Sequence, residues 1–168
     1  MYKMLKIVYN NDDFQILKYF PTIRKPFYVN MEPLTLAKRM RFAIDLFYGY
    51  RVYYLLMKES KAIVSYCTVT NGKNPRYWFA NGSDVIIGPY YTDPLYRGKG
   101  YAGKLVEQIV TKIEINRKKA YAYIWKTKVA SIRIMEHVGG QHIFNVHNTW
   151  LHRLKKSSDG EYAVYVID

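Results

Sequence analysis

A short glycine-rich segment, Tyr96–Gly103, lies between a predicted strand, Asp84–Thr92, and a predicted helix, Lys99–Asn116. Glycine lets the backbone turn tightly and approach a ligand without an intervening Cβ atom. The first turn of a helix carries unpaired N–H groups and a partial positive charge, which attract anions. Arg97 and Lys99 add full charges to the same segment. The sequence therefore predicts a site for the diphosphate of a phosphorylated cofactor, with simple turn chemistry as the alternative interpretation.

Two common phosphate-binding motifs do not fit this segment. A P-loop requires lysine followed by Ser or Thr, whereas Lys104 is followed by Leu105. A dinucleotide fingerprint requires its glycines in the first strand–helix unit and an acidic residue about 20 positions later. Here the glycines lie beyond the middle of the chain, and the corresponding later region, Arg117–Lys119, is basic.

Two blocks of sequence resemble motifs of the GNAT superfamily of acyl-CoA-dependent N-acyltransferases. The phosphate loop of that family reads Gln/Arg-x-x-Gly-x-Gly/Ala, and Arg97, Gly100 and Ala102 occupy the corresponding positions. The preceding Thr92–Tyr96 is similar to the family's strand end, apolar-x-Pro-x-Tyr. The second block, Lys128–Gly140, resembles Asn-x-x-Ala/Ser-x-x-Leu-Tyr-Glu-Lys-x-Gly-Phe and follows at about the family's spacing.

The resemblance implies an α+β, single-domain GNAT-like fold with a central mixed, mostly antiparallel sheet and helices on both faces. It also implies a splayed strand pair that holds acyl-CoA, with acetyl-CoA as the expected acyl donor. Main-chain groups of Tyr90 and Thr92 would contact the pantetheine arm, and the loop amides would hold the pyrophosphate. The residues expected to bind the cofactor are Tyr90, Thr92, Arg97, Gly98, Lys99, Gly100, Tyr101, Ala102, Gly103, Lys128 and Ser131.

Two positions depart from the family pattern. Lys128 stands where many members have asparagine, and Met135 stands where many have tyrosine. In those members the tyrosine is the proposed acid for the departing thiolate, and methionine cannot donate a proton. Candidate catalytic residues near the motifs are Tyr90, Tyr91 and Asp93, with Asp84, Glu32 or a chain of waters as further candidate bases. We interpret Cys67, in the middle of a predicted strand, as a core residue rather than a nucleophile.

The chain carries a formal net charge of +13, and much of it is clustered. Residues 97–133 hold ten Lys or Arg against two acids, Glu107 and Glu114. The phosphates of CoA account for part of this charge, with nucleic-acid binding or a solvated basic face as alternatives. Because surplus positive charge attracts anions, we expect an anionic amine acceptor, such as a nucleotide-linked amino sugar or an acidic amino acid.

Length and composition limit the other functions. The 168 residues fit one domain, residues 1–168, and 49% apolar content argues against disorder. No run of 18 apolar residues predicts a membrane helix, and a single cysteine excludes an internal disulfide. His142 and His147 face opposite sides of a predicted strand, so no metal site is expected. We expect a cytoplasmic enzyme with a small-molecule acceptor and without a membrane or nucleic-acid partner, and a homodimer remains open.

The predicted activity is transfer of an acetyl group from acetyl-CoA directly to a primary amine. A non-catalytic module that binds acyl-CoA or nucleic acid is the first alternative, and methionine at position 135 favours it. A protein or peptide N-acetyltransferase is the second alternative.

Hydrophobic periodicity and turn residues predict the elements of the fold. The predicted strands are Leu5–Tyr9, Arg51–Lys58, Lys61–Thr70, Asp84–Thr92, Lys119–Trp125, Gln141–Leu154 and Glu161–Ile167, and the predicted helices are Asp12–Phe20, Leu34–Tyr48, Lys99–Asn116 and Ala130–Val138. In the second helix, a buried face is predicted from Leu36, Ala37, Met40, Ala43, Ile44 and Phe47, with Lys38, Arg39 and Arg41 on the solvated side. Gly88-Pro89 predicts a bulge or splay in its strand.

Overall fold

The computed structural model describes residues 4–114, 116–149 and 153–168. Within these residues, nine strands form one sheet in the order β1-β2-β3-β4-β5-β6-β9-β7-β8. The strands are β1 Leu5–Asn10, β2 Phe14–Tyr19, β3 Arg51–Met57, β4 Ile63–Asn71, β5 Val85–Thr92, β6 Ala120–Trp125, β7 Gln141–Asn148, β8 Leu154–Lys156 and β9 Tyr162–Ile167. The helices are α1 Leu36–Leu46, α2 Tyr101–Gln108 and α3 Val129–His137.

The sheet is mixed, and helices cover both of its faces. Among the described strands, β5 and β6 run parallel, and the other neighbouring pairs run antiparallel. Tyr53 and Tyr54 are consecutive in β3 and therefore point to opposite faces. Tyr53 belongs to the core cluster that contains Leu105 of α2 and Met135 of α3, whereas Tyr54 belongs to the cluster that contains Phe42 of α1. The predicted α+β class with a mostly antiparallel sheet is confirmed.

The predicted helix Asp12–Phe20 is wrong, because this segment contains strand β2. Asn11 Oδ1 accepts hydrogen bonds from the main-chain N–H of Asp13 and Phe14, at 3.1 and 2.8 Å. The same side-chain chemistry occurs at a helix N-cap, and here it forms the turn between β1 and β2 instead. The strand is buried on both faces, so the polar–apolar alternation that marks a half-exposed strand is missing.

Helix α1 is confirmed, but its predicted buried face is wrong. Thr35 caps the helix by accepting a hydrogen bond from the N–H of Lys38 at 3.3 Å. Phe42 and Asp45 are its buried residues, and the Phe42 ring packs against Phe27 and Tyr50 with centroids 5.0 and 5.2 Å away. Most of the predicted apolar face is exposed, since Leu36 is 75%, Met40 61%, Ile44 56% and Phe47 83% accessible.

This orientation predicts that the exposed apolar residues of α1 contribute little to stability. Met40→Lys and Phe47→Ser should each change the free energy of unfolding by less than about 0.5 kcal/mol, as is usual for surface substitutions. Urea denaturation of the two variants measures this change. A loss of several times that size in either variant would place the face in a core and contradict the orientation of α1.

The remaining elements follow the predictions with shifted ends. Helix α2 begins two residues later than predicted and continues into a π-helical turn, Ile109–Ile113. Its predicted buried residues Leu105, Val106, Ile109 and Val110 are buried, and Ile113 is partly buried. The predicted strand Gln141–Leu154 ends at Asn148, and Leu154 begins the separate strand β8. Residue 115 of the predicted helix and residues 150–152 of this strand lie outside the described residues.

A buried ion pair joins the end of the π-helical turn to the sheet. Both oxygens of Glu114 accept from the Arg51 guanidinium, at 2.6 Å from Nε and 2.8 Å from Nη2. Tyr53 donates a further hydrogen bond to Glu114, and Arg51 Nη1 donates to Asn71 Oδ1 at 2.9 Å.

Among the described residues, the helices are all too short or too polar to cross a membrane.

Candidate active site

Strands β5 and β6 separate after two paired residues. Val85 pairs with Ala120 and Ile86 with Tyr121, and the described ladder between these strands ends there. After one further residue, Ile87, β5 continues with Gly88 and Pro89, which are joined by a cis peptide bond, and the register of β5 on β4 shifts at the same level. The predicted splay at Gly88-Pro89 is confirmed, and it opens a gap between the carboxyl ends of two parallel strands.

Alternate residues of β5 direct their main-chain N–H and C=O groups towards this gap. On the β4 side, the carbonyls of Pro89 and Tyr91 accept from Thr68 Oγ1 and Ser65 Oγ, at 3.2 and 2.8 Å. Because alternate residues of a strand direct their main-chain groups to opposite edges, Tyr90 and Thr92 direct theirs away from β4 and towards the gap.

The glycine-rich loop lines a cavity of about 840 Å³ on the α2 and α3 side of the gap. Gly98 and Gly100 have φ angles of +77° and +74°, in the left-handed region that favours glycine. A Cβ atom built on either residue would meet no atom within 4 Å among the described residues, so the loop backbone borders open space. The first helical hydrogen bond runs from Lys104 N to Gly100 O at 3.0 Å, which leaves the preceding amides of the first turn available to a ligand.

Basic side chains surround this cavity. Arg97, Lys104 and Arg133 contribute to its wall, with Glu107 and His137 also present. Arg97 Nε donates to the carbonyl of Thr92 at 3.1 Å, which fastens the loop to the end of β5. The wall also contains Tyr90, Tyr91, Thr92, Tyr96, Gly98, Gly100, Tyr101, Ala102, Gly103, Ala130, Ser131 and Ile134. Of the predicted cofactor-binding residues, Lys99 lies outside this wall, and its Nζ is 5.8 Å from the Tyr96 ring centroid.

A second cavity of about 390 Å³ opens on the α1 side of the gap. Its cationic wall residues are Arg41, Arg76 and Lys128. The predicted cofactor residue Lys128 therefore lies in this smaller cavity rather than beside the glycine-rich loop. The other wall residues are Ile87, Gly88, Pro89, Tyr90, Tyr123, Ile124, Trp125, Ser131, Asn148 and Tyr162.

The two cavities share Tyr90 and Ser131 as wall residues. The Tyr90 hydroxyl donates to the carbonyl of Ser131 at 2.7 Å and so links β5 to the first turn of α3. Burial raises the pKa of Tyr90 well above its usual range, and the hydrogen bond to Ser131 opposes that shift only in part. The phenol therefore stays protonated at neutral pH and can act as a hydrogen-bond donor.

The structure places Tyr91 in an aromatic stack, Asp93 at the start of a turn and Met135 in the core. The Tyr91 ring stacks on Tyr66 at 6.0 Å and lies 5.3 Å from Arg97 Cζ. Asp93 Oδ1 accepts from the N–H of Leu95 at 2.9 Å and caps a 3₁₀ turn, Pro94–Tyr96. Met135 is fully buried in the core between α3 and the sheet.

The remaining candidate bases, Asp84 and Glu32, make hydrogen bonds within the fold. Asp84 is buried and accepts from the main-chain N–H of Asn81 and Lys119, at 2.7 and 3.2 Å. Glu32 accepts from the Tyr66 hydroxyl and from Lys38 Nζ, the latter at 2.8 Å. Cys67 is buried, and its burial raises the pKa of the thiol, as expected for a core cysteine.

Sequence patterns missed most of the second cavity. The helical period predicts Arg41 on the solvated side of α1, because the period gives the spacing of a face but not the direction in which the helix packs. Arg76 and Asn148 come from a loop and from the end of β7, and neither belongs to a recognisable motif. Apart from Tyr90, Lys128 and Ser131, which belong to the motif regions, the sequence signal for this cavity is the surplus of positive charge.

Comparisons with known proteins agree with the two motifs. Residues 77–151 match the model of a family described as FR47-like protein. The comparison with curated proteins gave no match. A solved structure of a putative GnaT-family acetyltransferase from Bordetella pertussis has a TM-score of 0.63 at 15% identity, with 97% of this chain and 100% of that chain covered.

Two further solved structures show the same architecture. An N-acetyltransferase from Staphylococcus aureus Mu50 has a TM-score of 0.55 at 17% identity, over 85% of each chain. A GNAT-family acetyltransferase from Bacillus anthracis has a TM-score of 0.56 at 13% identity, over 96% of this chain and 95% of that chain. At these identities, the likeness establishes the fold. The matching family model covers residues 77–151, which contain both motifs, and it agrees with this likeness in fold to GNAT-family acetyltransferases.

Proposed function

We propose that the protein transfers an acyl group, in the first instance acetyl, from acyl-CoA to a primary amine. The observation that carries the proposal is the pair of cavities that meet at Tyr90 and Ser131 on the two sides of the splayed strands. One cavity has the chemistry expected of a diphosphate site, and the other is separate and smaller. A transferase with two substrates requires such an arrangement, with the donor's reactive end directed towards the acceptor.

The glycine-rich loop fits the donor. Its open backbone at Gly98 and Gly100, the free amides of the first turn of α2 and the charge of Arg97 together suit a pyrophosphate. Main-chain groups of Tyr90 and Thr92 would hydrogen-bond the pantetheine arm from β5. Acyl-CoA supplies a thioester, whose carbonyl carbon is already activated towards an amine.

The acceptor cavity would assist the reaction through its charge. An amine attacks only in its neutral form, and nearby positive charges disfavour the protonated form. Arg41, Arg76 and Lys128 would therefore lower the pKa of a bound ammonium group and reduce the need for a dedicated carboxylate base. The same cations favour an anionic acceptor, as the charge of the chain predicts.

Tyr90 would act as the proton donor that Met135 cannot supply. Its phenol lies at the junction of the two cavities, is protonated at neutral pH and contacts the first turn of α3. On transfer, the C–S bond breaks and the thiolate takes a proton from the phenol, which recovers it from solvent or from the amine.

The substitution Tyr90→Phe tests this role. Since general acid catalysis contributes about 10²–10⁴-fold, and CoA thiolate is a fair leaving group, we expect kcat to fall by roughly 100-fold. The dissociation constant of acetyl-CoA should change by less than about threefold, because the proposed contacts from β5 are main-chain groups. Stopped-flow detection of free thiol measures kcat, and calorimetry measures binding.

Tyr91→Phe is the comparison variant, since it removes the rival hydroxyl one residue away. If Tyr91→Phe lowers kcat and Tyr90→Phe does not, the proton donor is assigned to the wrong tyrosine. The transferase itself is tested by release of free CoA from acetyl-CoA with a panel of amines. Tight acetyl-CoA binding without turnover of any amine would instead favour a non-catalytic binding module.

A further inference from the structure

Two arginines from distant parts of the chain converge on one aromatic ring in the smaller cavity. Arg41 comes from α1, and Arg76 comes from the connection between β4 and β5. Their guanidinium carbons lie 5.8 and 5.5 Å from the ring centroid of Tyr123, which is in β6 beside the gap. Tyr123 thus holds both guanidinium groups near the position that an acceptor must occupy to reach the donor.

Among the described residues, the partners of Arg41 and Arg76 balance the positive charge of the two guanidinium groups only in part. Asp45 Oδ2 lies 3.7 Å from Arg41 Nε, and its other oxygen accepts from Asn74 Nδ2 at 2.9 Å. Burial raises the pKa of Asp45 despite the two nearby guanidinium groups, which weakens it as a counter-charge. Arg76 Nη2 donates to a neutral partner, Asn148 Oδ1, at 2.7 Å.

Both arginines retain unused hydrogen-bonding capacity. Nε of Arg41 and Nε of Arg76 are buried and have no hydrogen-bond partner among the described residues. Buried donors of this kind are normally paired, since leaving a charged donor without a partner carries the full cost of removing it from water. Among the described wall residues of the cavity there is no carboxylate to pair with them.

We infer that Arg41 and Arg76 form an anion clamp that binds a carboxylate or phosphate group of the acceptor. The inference rests on the proposed acyl transfer and specifies the acceptor. The planar guanidinium group matches both kinds of anion through paired N–H donors. At about 390 Å³, the cavity is near the lower end of small-molecule sites, which span about 300–1,000 Å³. This size favours an acidic amino acid or a phosphorylated amino sugar over a whole nucleotide-linked sugar.

Matched pairs of acceptors test the clamp. The pairs are glutamate with glutamine, glycine with glycinamide, and glucosamine 6-phosphate with glucosamine. We expect the more anionic member of at least one pair to have a KM lower by about 10- to 100-fold, the range for losing a hydrogen-bonded charge. A preference within the first two pairs identifies a carboxylate as the ligand, and a preference within the third identifies a phosphate.

Substitutions of the two arginines test whether this preference for the more anionic acceptor arises from the clamp. Arg76→Gln should abolish the difference within the preferred pair by raising the KM of its more anionic member. Arg41→Lys keeps the charge but loses the planar donors, so it should weaken the preference without abolishing it. Arg39→Gln, on the exposed side of the same helix, is the matched control and should retain the preference.

The possible results distinguish a failure of the clamp from a failure of the proposed acyl transfer. Equal KM values within every pair, or a preference that survives Arg76→Gln, would overturn the clamp while leaving the transferase in place. Calorimetric binding of glutamate and of glucosamine 6-phosphate tests the clamp without any acyl donor. Binding that Arg76→Gln abolishes, in a protein that does not bind acetyl-CoA, would support the clamp and reject the transferase.

Discussion

Gly100→Glu is expected to weaken acetyl-CoA binding by at least about 100-fold, or roughly 3 kcal/mol. Gly100 is the N-cap of α2 and has a φ angle of +74°. Its Cβ position faces open space within the glycine-rich loop, so a glutamate side chain would enter the volume proposed for the pyrophosphate. The added carboxylate would also repel the phosphates and neutralise part of the charge of Arg97. Isothermal titration calorimetry of wild type and variant measures the change.

Gly139→Glu is the matched control for this substitution. Gly139 also has a positive φ angle, +86°, and an open Cβ position, but it lies after α3 and outside the walls of both cavities. Both variants therefore carry similar backbone strain and the same added charge. Acetyl-CoA affinity should be close to wild type in Gly139→Glu. Equal losses in the two variants would mean that strain or net charge causes the effect, and the loop would not be the phosphate site.

Glu114→Ala is expected to lower the free energy of unfolding by about 3–5 kcal/mol, the cost of breaking a buried ion pair from one side. The side chains of Arg51 and Glu114 are only 10% and 14% exposed and are joined at 2.6 Å. Removal of Glu114 leaves the Arg51 charge buried with its neutral partners, Gly49 O and Asn71 Oδ1. Urea denaturation at neutral pH measures the loss. Asp168→Ala, which breaks the exposed pair with Lys119, should leave the free energy of unfolding near that of wild type.

The double variant Arg51→Met/Glu114→Leu separates the ion pair from other effects of the substitution. An apolar pair of similar size leaves no buried charge, so it should recover much of the stability that Glu114→Ala loses. A double variant as unstable as Glu114→Ala would show that the cost comes from lost packing rather than from the unpaired guanidinium.

The same ion pair predicts a dependence on pH. Burial raises the pKa of Glu114, but hydrogen bonds from Arg51 and Tyr53 and the charge of Arg51 outweigh it, so the pKa is lowered overall. A carboxylate whose folded pKa is depressed stabilises the protein above its unfolded pKa, about 4.3, and loses that contribution as pH falls through the folded value. The difference in stability between wild type and Glu114→Gln should therefore shrink below about pH 4. A difference that is constant from pH 7 to pH 3 would contradict this role for the charge.

Local sequence determined the elements that face the proposed donor. Gly98 and Gly100 need positive φ angles, Gly88-Pro89 interrupts the strand, and the apolar face of α2 is fixed by Leu105 and Ile109. These features depend on interactions within a few residues, so their spacing along the chain is sufficient to predict them. The glycine-rich loop and the succession of strand, loop, helix and strand around it were predictable for that reason.

Only the tertiary structure decided what lies on the other side of the gap. The period of α1 predicted an apolar contact face, but packing against Phe27 and Tyr50 turned Phe42 inwards. That rotation also places Arg41 next to Tyr123, which is 82 positions away in sequence. Contacts over such distances depend on how the loops pack across the sheet and leave no periodic signal. The sequence by itself thus determined the glycine-rich loop and the interruption of β5 that border the larger cavity, whereas the convergence of Arg41, Arg76 and Tyr123 was decided by packing across the sheet.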